Sequence, residues 1–449
     1  MTIITLMKKT SKMIKSNICI FLFLTVSVIC FTLTGNNLKA QDVPPLDDSV
    51  TTNKVEGVDS VYIPGNGFDI VKGTQGSLNF GAYGLFRYIN QLPPGQSYVD
   101  HLGNTQNIDT RNDFQLQRVM AFFRGFFLDP KLIYNITFWT VNATNQLAII
   151  GGVTYKFAKE FNLSVGWGAL PGTRSNHYSH PFWLAPDRIM ADEYFRPYFT
   201  QGMWADGEIL PGVIYTAMIG NNSSNLGVTA VNLSRSLASS ASIDWRPTTG
   251  EFGKYSSFSD YDEHKKVATT LGTAFTHSRE NRFTQNIEDN PVNTGIRISD
   301  ALNLFQIGAL AKDVTVLEAD YNMVSANVGL KYKGFFLQTE WYSRTLNKFT
   351  TTGEVPITSM LDQGFYVAAS YMAIPKYLEL YSYGSQIWGQ FNNANEITGG
   401  VNVFPYGKWY FKLNAQVIVV NRSAVSSTFG YYVGGLKGTV ISLATSFFL

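Results

Sequence analysis

From Gly76 to its last residue the chain is built of long segments with two unlike faces, and that pattern leaves few folds open. In GSLNFGAYGLFRYIN, Leu78, Phe80, Ala82, Phe86 and Tyr88 share one side, and Ser77, Asn79, Gly81 and Arg87 share the other. YNITFWT sets Tyr134, Ile136 and Phe138 against Asn135 and Thr137, and FNLSVGWGA sets Phe161, Leu163, Val165 and Trp167 against Asn162, Ser164, Gly166 and Gly168. WYFKLNAQVIVV repeats the pattern. The chain finishes on ISLATSFFL, with Ile441, Leu443, Phe447 and Leu449 opposite Ser442, Ala444 and Ser446. A period of two is that of a β-strand with a different solvent on each side. The segments run about 9 to 13 residues, longer than an ordinary strand of ~5–6 and suited to a tilted crossing of a hydrocarbon core.

A free aromatic strand at a chain end invites edge-to-edge aggregation. Pairing the last strand with the first removes the edge, and lipid covers the apolar face. A closed barrel is the one non-helical way to satisfy every backbone group in a bilayer. The expected fold is therefore all-β, a transmembrane antiparallel β-barrel of about sixteen strands. An even count puts both termini on the periplasmic side and the long loops outside, with 92–111, 171–201, 248–265 and 280–299 as candidate loops. One segment breaks the pattern. In DFQLQRVMAFFRGFF, Arg118 and Arg124 share a parity with Phe114, Leu116 and Met120, which calls for either a bulge or a different register.

The first forty residues read as a secretory signal peptide: Lys8, Lys9, Lys12 and Lys15, an apolar run from Ile18 to Leu33, then Leu38-Lys39-Ala40, with cleavage expected after Ala40. The alternative is an uncleaved anchor, for which the apolar run falls short of the ~20 residues of a spanning helix. Both cysteines, Cys19 and Cys30, lie in this stretch. Its five lysines leave 35 − 5 = 30 basic against 33 acidic residues, a net of −3, and no basic excess that would suit nucleic acid. Residues 41–73, with Pro44, Pro45, Asp47 and Asp48, lack either period and read as a flexible periplasmic lead-in; the barrel is expected over 74–449.

GFDIVKGTQGSLNFGAYGLFRYIN, NDFQLQRVMAFFRGFFLDPKLIYNITFW and ASIDWRPTTGEFG resemble the opening strands and a mid-barrel strand of the phosphate-selective porin O and P family, and the resemblance runs from about Gly67 onward. It implies a homotrimeric, sixteen-stranded outer-membrane porin of a Gram-negative bacterium, surrounded by lipid, that passes small hydrophilic solutes or anions such as phosphate. It also implies a third long loop folded into the lumen as a constriction. By position that loop is 171–201, with Arg174, Arg188 and Arg196, His177, and Asp187, Asp192 and Glu193 as candidate solute-binding groups. Rings of fixed charge in a narrow passage select ions, and guanidinium forks hold oxyanions as they shed water. Candidate lumen-wall residues are Arg87, Arg118, Arg124, Glu340 and Arg344, the last two sharing a face. The loop holds no lysine, where phosphate-selective relatives carry lysines in the narrow zone.

His177-x-x-His180 lacks a third ligand and points to no metal, and no cofactor motif is present. The mature histidines, His101, His177, His180, His264 and His277, fall in predicted loops or strand ends, and GxSxG and HExxH are absent, so no enzyme is expected. Trp139, Trp167, Trp341 and Trp409 are expected in an aromatic girdle at the membrane interface. The rival reading is a barrel plugged by its loops that serves as a structural or docking component of a secretion or adhesion complex.

Overall fold

The computed structural model describes residues 62–63, 67–141, 146–177, 183–222, 236–248, 258–281, 295–427 and 430–449. The expected leader and most of the expected lead-in lie outside them. One sheet holds 18 strands, of which two, 62–63 and Gly67–Lys72, are short N-terminal pieces. The other sixteen close into an antiparallel barrel. In order they are β1 (Ser77–Leu92), β2 (Asn112–Phe127), β3 (Asp129–Val141), β4 (Gln146–Lys156), β5 (Asn162–Ala169), β6 (Phe199–Leu210), β7 (Val213–Gly220) and β8 (Ala238–Trp245). The second half comprises β9 (Ala268–Asn281), β10 (Val316–Tyr332), β11 (Phe335–Thr351), β12 (Ser359–Ile374), β13 (Leu378–Trp388), β14 (Asn393–Val403), β15 (Phe411–Asn421) and β16 (Gly438–Phe448).

Alternation directs every strand. On β12, Leu361, Val367 and Tyr371 are exposed on the outer face, while Met360, Asp362, Tyr366 and Ala368 are buried inside. The closing strand pairs as its two faces require, from Thr439 opposite Leu92 to Phe448 opposite Tyr83. Phe447 lies on the outside across Gly84, where a Cβ would sit 2.4 Å from its ring; the glycine lets the ring cover the strand. β16 is shorter than β1, and Gly67–Lys72 continues its line by pairing with residues 77–80. That stretch belonged to the expected lead-in, which its short length and weak alternation concealed.

The disputed segment of β2 contains a bulge. Leu85 pairs with Arg118 and Phe86 with Leu116, so Gln117 is the extra residue. Phe114 and Leu116 stay outside while Arg118 turns inward, which a strand without a bulge could not achieve.

Both described termini lie at one end, where most connections are short: Leu128 alone joins β2 to β3, and Lys333-Gly334 joins β10 to β11. Residues 246–248 and 258–267, between β8 and β9, are also at this end, because they follow an even-numbered strand. The expectation that 248–265 is an outer loop is therefore corrected; its length, and not its place in the strand count, suggested the wrong end. The opposite end carries the loops 93–111, 170–198, 282–315 and 422–437. A two-stranded hairpin, Gln96–Val99 with Thr105–Ile108, stands within the first of these.

Candidate functional site

Loop 170–198 enters the cylinder instead of standing outside it. It contains two short helices, α1 (Arg174–His177) and α2 (Met190–Phe195). It reaches far down the lumen: the Nζ of Lys412 donates to the carbonyls of Trp183 (3.1 Å) and Leu184 (3.3 Å), and Asn402 donates to Leu184 at 2.9 Å. Lys412 and Asn402 sit at the terminal ends of β15 and β14.

The loop is docked by buried charge pairs. Asp187 bridges two wall arginines, accepting from Arg87 Nη1 and Arg118 Nη2 at 2.8 Å each. Arg87 also donates to Gln115 at 2.7 Å, and its guanidinium lies 4.9 Å from the Tyr431 ring. Within the loop, Arg188 pairs with Asp192 at 2.9 Å, contacts Ser175, and packs 4.5 Å from the Trp183 ring. Arg196 forks onto both oxygens of Glu193 at 2.8 and 2.9 Å. Burial raises the Glu193 carboxyl, but Arg196 outweighs it and holds the group below the ordinary glutamate range. Burial lowers the Arg188 guanidinium, with Asp192 opposing.

Wall carboxylates cap both helices. The backbone N–H of Arg174 donates to Glu340 at 2.8 Å, and that of Met190 donates to Glu396 at 2.6 Å. Ile189, at the N-cap of α2, offers no side-chain acceptor, so a glutamate from β14 supplies one. Glu396 also accepts from Ser385 and Tyr432. On β11, Arg344 pairs with Asp362 at 2.8 Å, donates to the carbonyls of Tyr194 and Arg297, and lies 4.2 Å from the Tyr194 ring. Phe195 stacks on Tyr342 at 5.2 Å and rests over Gly364, where a Cβ would be 2.5 Å from its ring.

Two further loops fill the same side. Tyr431 and Tyr432, from loop 422–437, are buried, and Gln91 and Arg111 donate to the carbonyls of Tyr431 and Gly430. From the loop after β9, Ile296, Ile298, Leu304 and Phe305 join one apolar cluster with Trp183, Phe195, Tyr342 and Tyr383. At the other end Ser259 donates to Glu379, and Tyr261 to the carbonyl of Gly407.

The side of the lumen along β5 to β8 is different. Between the start of the third loop and this wall lies a cavity of about 250 Å³, lined by Gly168, Asn176, Trp204, Thr216, Met218 and Asp244 among others.

The loop residues marked from the sequence thus stand together, although mostly bound to one another. Arg174 is buried beside Glu340; Arg188, Asp192, Glu193 and Arg196 form one cluster; Asp187 joins Arg87 and Arg118. Arg124 faces inward nearer the terminal end, 5.7 Å from the Phe122 ring. Glu340 and Arg344 share the inner face of β11 as expected. His177 ends α1 with its side chain outside the described residues, as is His180 altogether. Trp341 is exposed, but Trp139 and Trp167 are buried against Ala148 and do not join a girdle. The sequence reading missed Glu396, Asp362 and Gly364, although parity alone put Asp362 and Gly364 on the inner face of β12.

No protein-family model matches the chain, and no curated protein does. The resemblance to the O and P family therefore has no family model behind it. Solved structures do match. Outer-membrane expressed OmpT of Vibrio cholerae is 10% identical and aligns over 84% of this chain and 99% of its own, at a TM-score of 0.53. OmpT folded in vitro, an outer membrane protein of Vibrio cholerae, gives 10%, 84%, 99% and 0.51. The anion-selective porin from Comamonas acidovorans gives 9%, 84%, 100% and 0.48. What the first two share with this chain is the fold, a closed sixteen-strand barrel of the outer-membrane porin kind.

Proposed function

We propose that this chain is an outer-membrane porin of a Gram-negative bacterium, giving passive, diffusion-driven passage to small hydrophilic solutes along the β5–β8 side of its lumen. The outward faces of the strands are apolar, as lipid requires, and the end with both termini is the periplasmic one. The observation that supports passage is the cavity between the third loop and the β5–β8 wall. The finer reading, an anion such as phosphate, would rest on Arg87, Arg118, Arg188, Arg196 and Arg344. These guanidiniums already hold carboxylates, so we keep the solute class at small hydrophilic molecules. Homotrimer assembly is what the family resemblance implies, and crosslinking of detergent-extracted protein tests it.

A second reading has its own support. The apolar cluster that joins three loops to the wall suits a plugged barrel acting as a docking or structural component. Purified protein in a planar bilayer separates the two: salt-dependent channels support the porin, and a silent membrane supports the plugged scaffold.

A further inference from the structure

We infer that residues 258–264, in the connection between β8 and β9, form a strap across the terminal end of the lumen, and that this strap holds the third loop in place. Two segments that enter the cylinder from opposite ends thus act as one closure.

Most connections at the terminal end are short, and the one over 246–267 is the longest of them. Long connections in compact folds usually carry a function. Its described second part turns in under the strands from β10 to β15. Asp260, with no exposed surface, accepts from the backbone N–H of Gly334 at 2.7 Å and of His264 at 3.2 Å, and also meets the His264 ring. The His264 carbonyl accepts from the N–H of Lys333 at 2.9 Å. These bonds tie the strap to the β10–β11 turn. The Tyr261 hydroxyl donates to the Gly407 carbonyl at 2.6 Å, and its ring meets Phe404 edge-on at 5.1 Å, so the strap also reaches the β14–β15 turn. Asp262, Lys265 and Lys266 face solvent.

The buried side of the strap meets the third loop. Phe258 lies 6.3 Å from the Phe336 ring and belongs to the apolar cluster that holds Trp183, Leu184 and Ala185. With those three it borders a cavity of about 20 Å³, so little space separates strap from loop. A second link is polar. Ser259 Oγ donates to Glu379 Oε1 at 2.6 Å, Asn402 donates to Glu379 Oε2 at 2.8 Å, and the same Asn402 amide donates to the Leu184 carbonyl at 2.9 Å. One wall carboxylate therefore serves the strap and orients the amide that grips the loop. Loss of the Ser259 hydroxyl deprives that carboxylate of a donor, and loss of the Phe258 ring leaves Trp183, Leu184 and Ala185 beside a void.

Hydrogen exchange on the full chain in detergent tests this, with the wild type set against Ser259→Ala and against Phe258→Ala combined with Ser259→Ala. The heat-dependent gel shift of a folded barrel reports that each variant has closed. Peptides covering 183–195 should exchange roughly tenfold faster in the double variant and roughly threefold faster in Ser259→Ala, while β10 to β15 keep their protection. Asp187→Leu, which loosens the loop at another point, should in turn quicken exchange at 258–264, because coupling between two segments is reciprocal. Faster exchange confined to 258–264 in the double variant, with 183–195 unchanged, overturns the inference; should that variant fail to close, an unchanged 183–195 in Ser259→Ala does so. Asp187→Leu that frees 183–195 and leaves 258–264 fully protected overturns it as well. The porin reading stands or falls separately, on channels of the wild type in a planar bilayer.

Discussion

The wall from β10 round to β2 and the wall from β5 to β8 belong to one cylinder and obey one alternation, yet their inner faces do different work. The first carries large and charged side chains inward: Tyr342, Tyr366 and Tyr383, with Arg87, Arg118, Glu340, Arg344, Asp362 and Glu396. The second carries mainly glycine, serine and threonine, with Trp204, Ile214, Met218, Glu208 and two aspartates. Large inward groups make a bed on which a loop can bury apolar surface and satisfy its polar atoms. Small inward groups cannot reach across, so they leave space. The difference teaches that a barrel decides where its lumen is filled by the size of its inward residues, strand by strand.

The comparison is most sharply tested at the point where the loop meets two arginines. Asp187→Leu leaves Arg87 and Arg118 buried without their shared carboxylate, and loss of one partner of such a pair costs about 3–5 kcal/mol. The expected outcome is a released loop, read as higher single-channel conductance and faster proteolysis between β5 and β6. Unchanged conductance would mean that the docked side contributes nothing to closure.

Glu396→Gln keeps the shape but weakens the acceptor that caps α2, with an expected cost of about 1–3 kcal/mol to loop docking. Hydrogen exchange at Met190 and its neighbours should quicken while the strands stay protected. A rise in exchange spread evenly over the barrel would contradict this.

Acid should act through Glu193. A carboxyl whose folded pKa is lowered contributes stability above its unfolded value and loses it as pH falls through the folded one. The contribution of Glu193 to docking should therefore be constant from about pH 8 to about pH 5 and decline only below about pH 4. A conductance rise centred near pH 6 would point to another group.

The smallest effect is expected on the other side. Thr216→Ser, in the β7 wall of the cavity, should change barrel stability by no more than about 0.5 kcal/mol, measured by urea-dependent gel shift. A cost as large as that of Asp187→Leu would erase the contrast between the two walls.

Much of the fold could be read from the residues. ISLATSFFL announced a strand that needed a partner on each side, and the sheet supplies β1 and β15. The parity conflict around Arg118 called for either a bulge or a different register, and Gln117 is a bulge. That a third long loop would fold inward came from the family resemblance, and its position in the chain picked out 171–201. Which carboxylate each arginine holds was not legible, because Asp187 meets Arg87 across 100 positions of sequence. Nor did local pattern reveal that β14 would cap a helix from the third loop, since Glu396 and Met190 are 206 positions apart. Segment 246–267 misled because length signals an outer loop only when strand parity agrees.

Alternation acts between neighbouring residues, so the amino-acid order alone determined strands, faces and closure: each segment chooses its wet and oily sides without regard to the rest of the chain. Occupation of the lumen depends on groups far apart in sequence, brought within hydrogen-bond reach only once the cylinder has closed. Tertiary structure alone therefore decided that most of the marked arginines are bound to carboxylates on one side, and that space remains beside the small residues of the other.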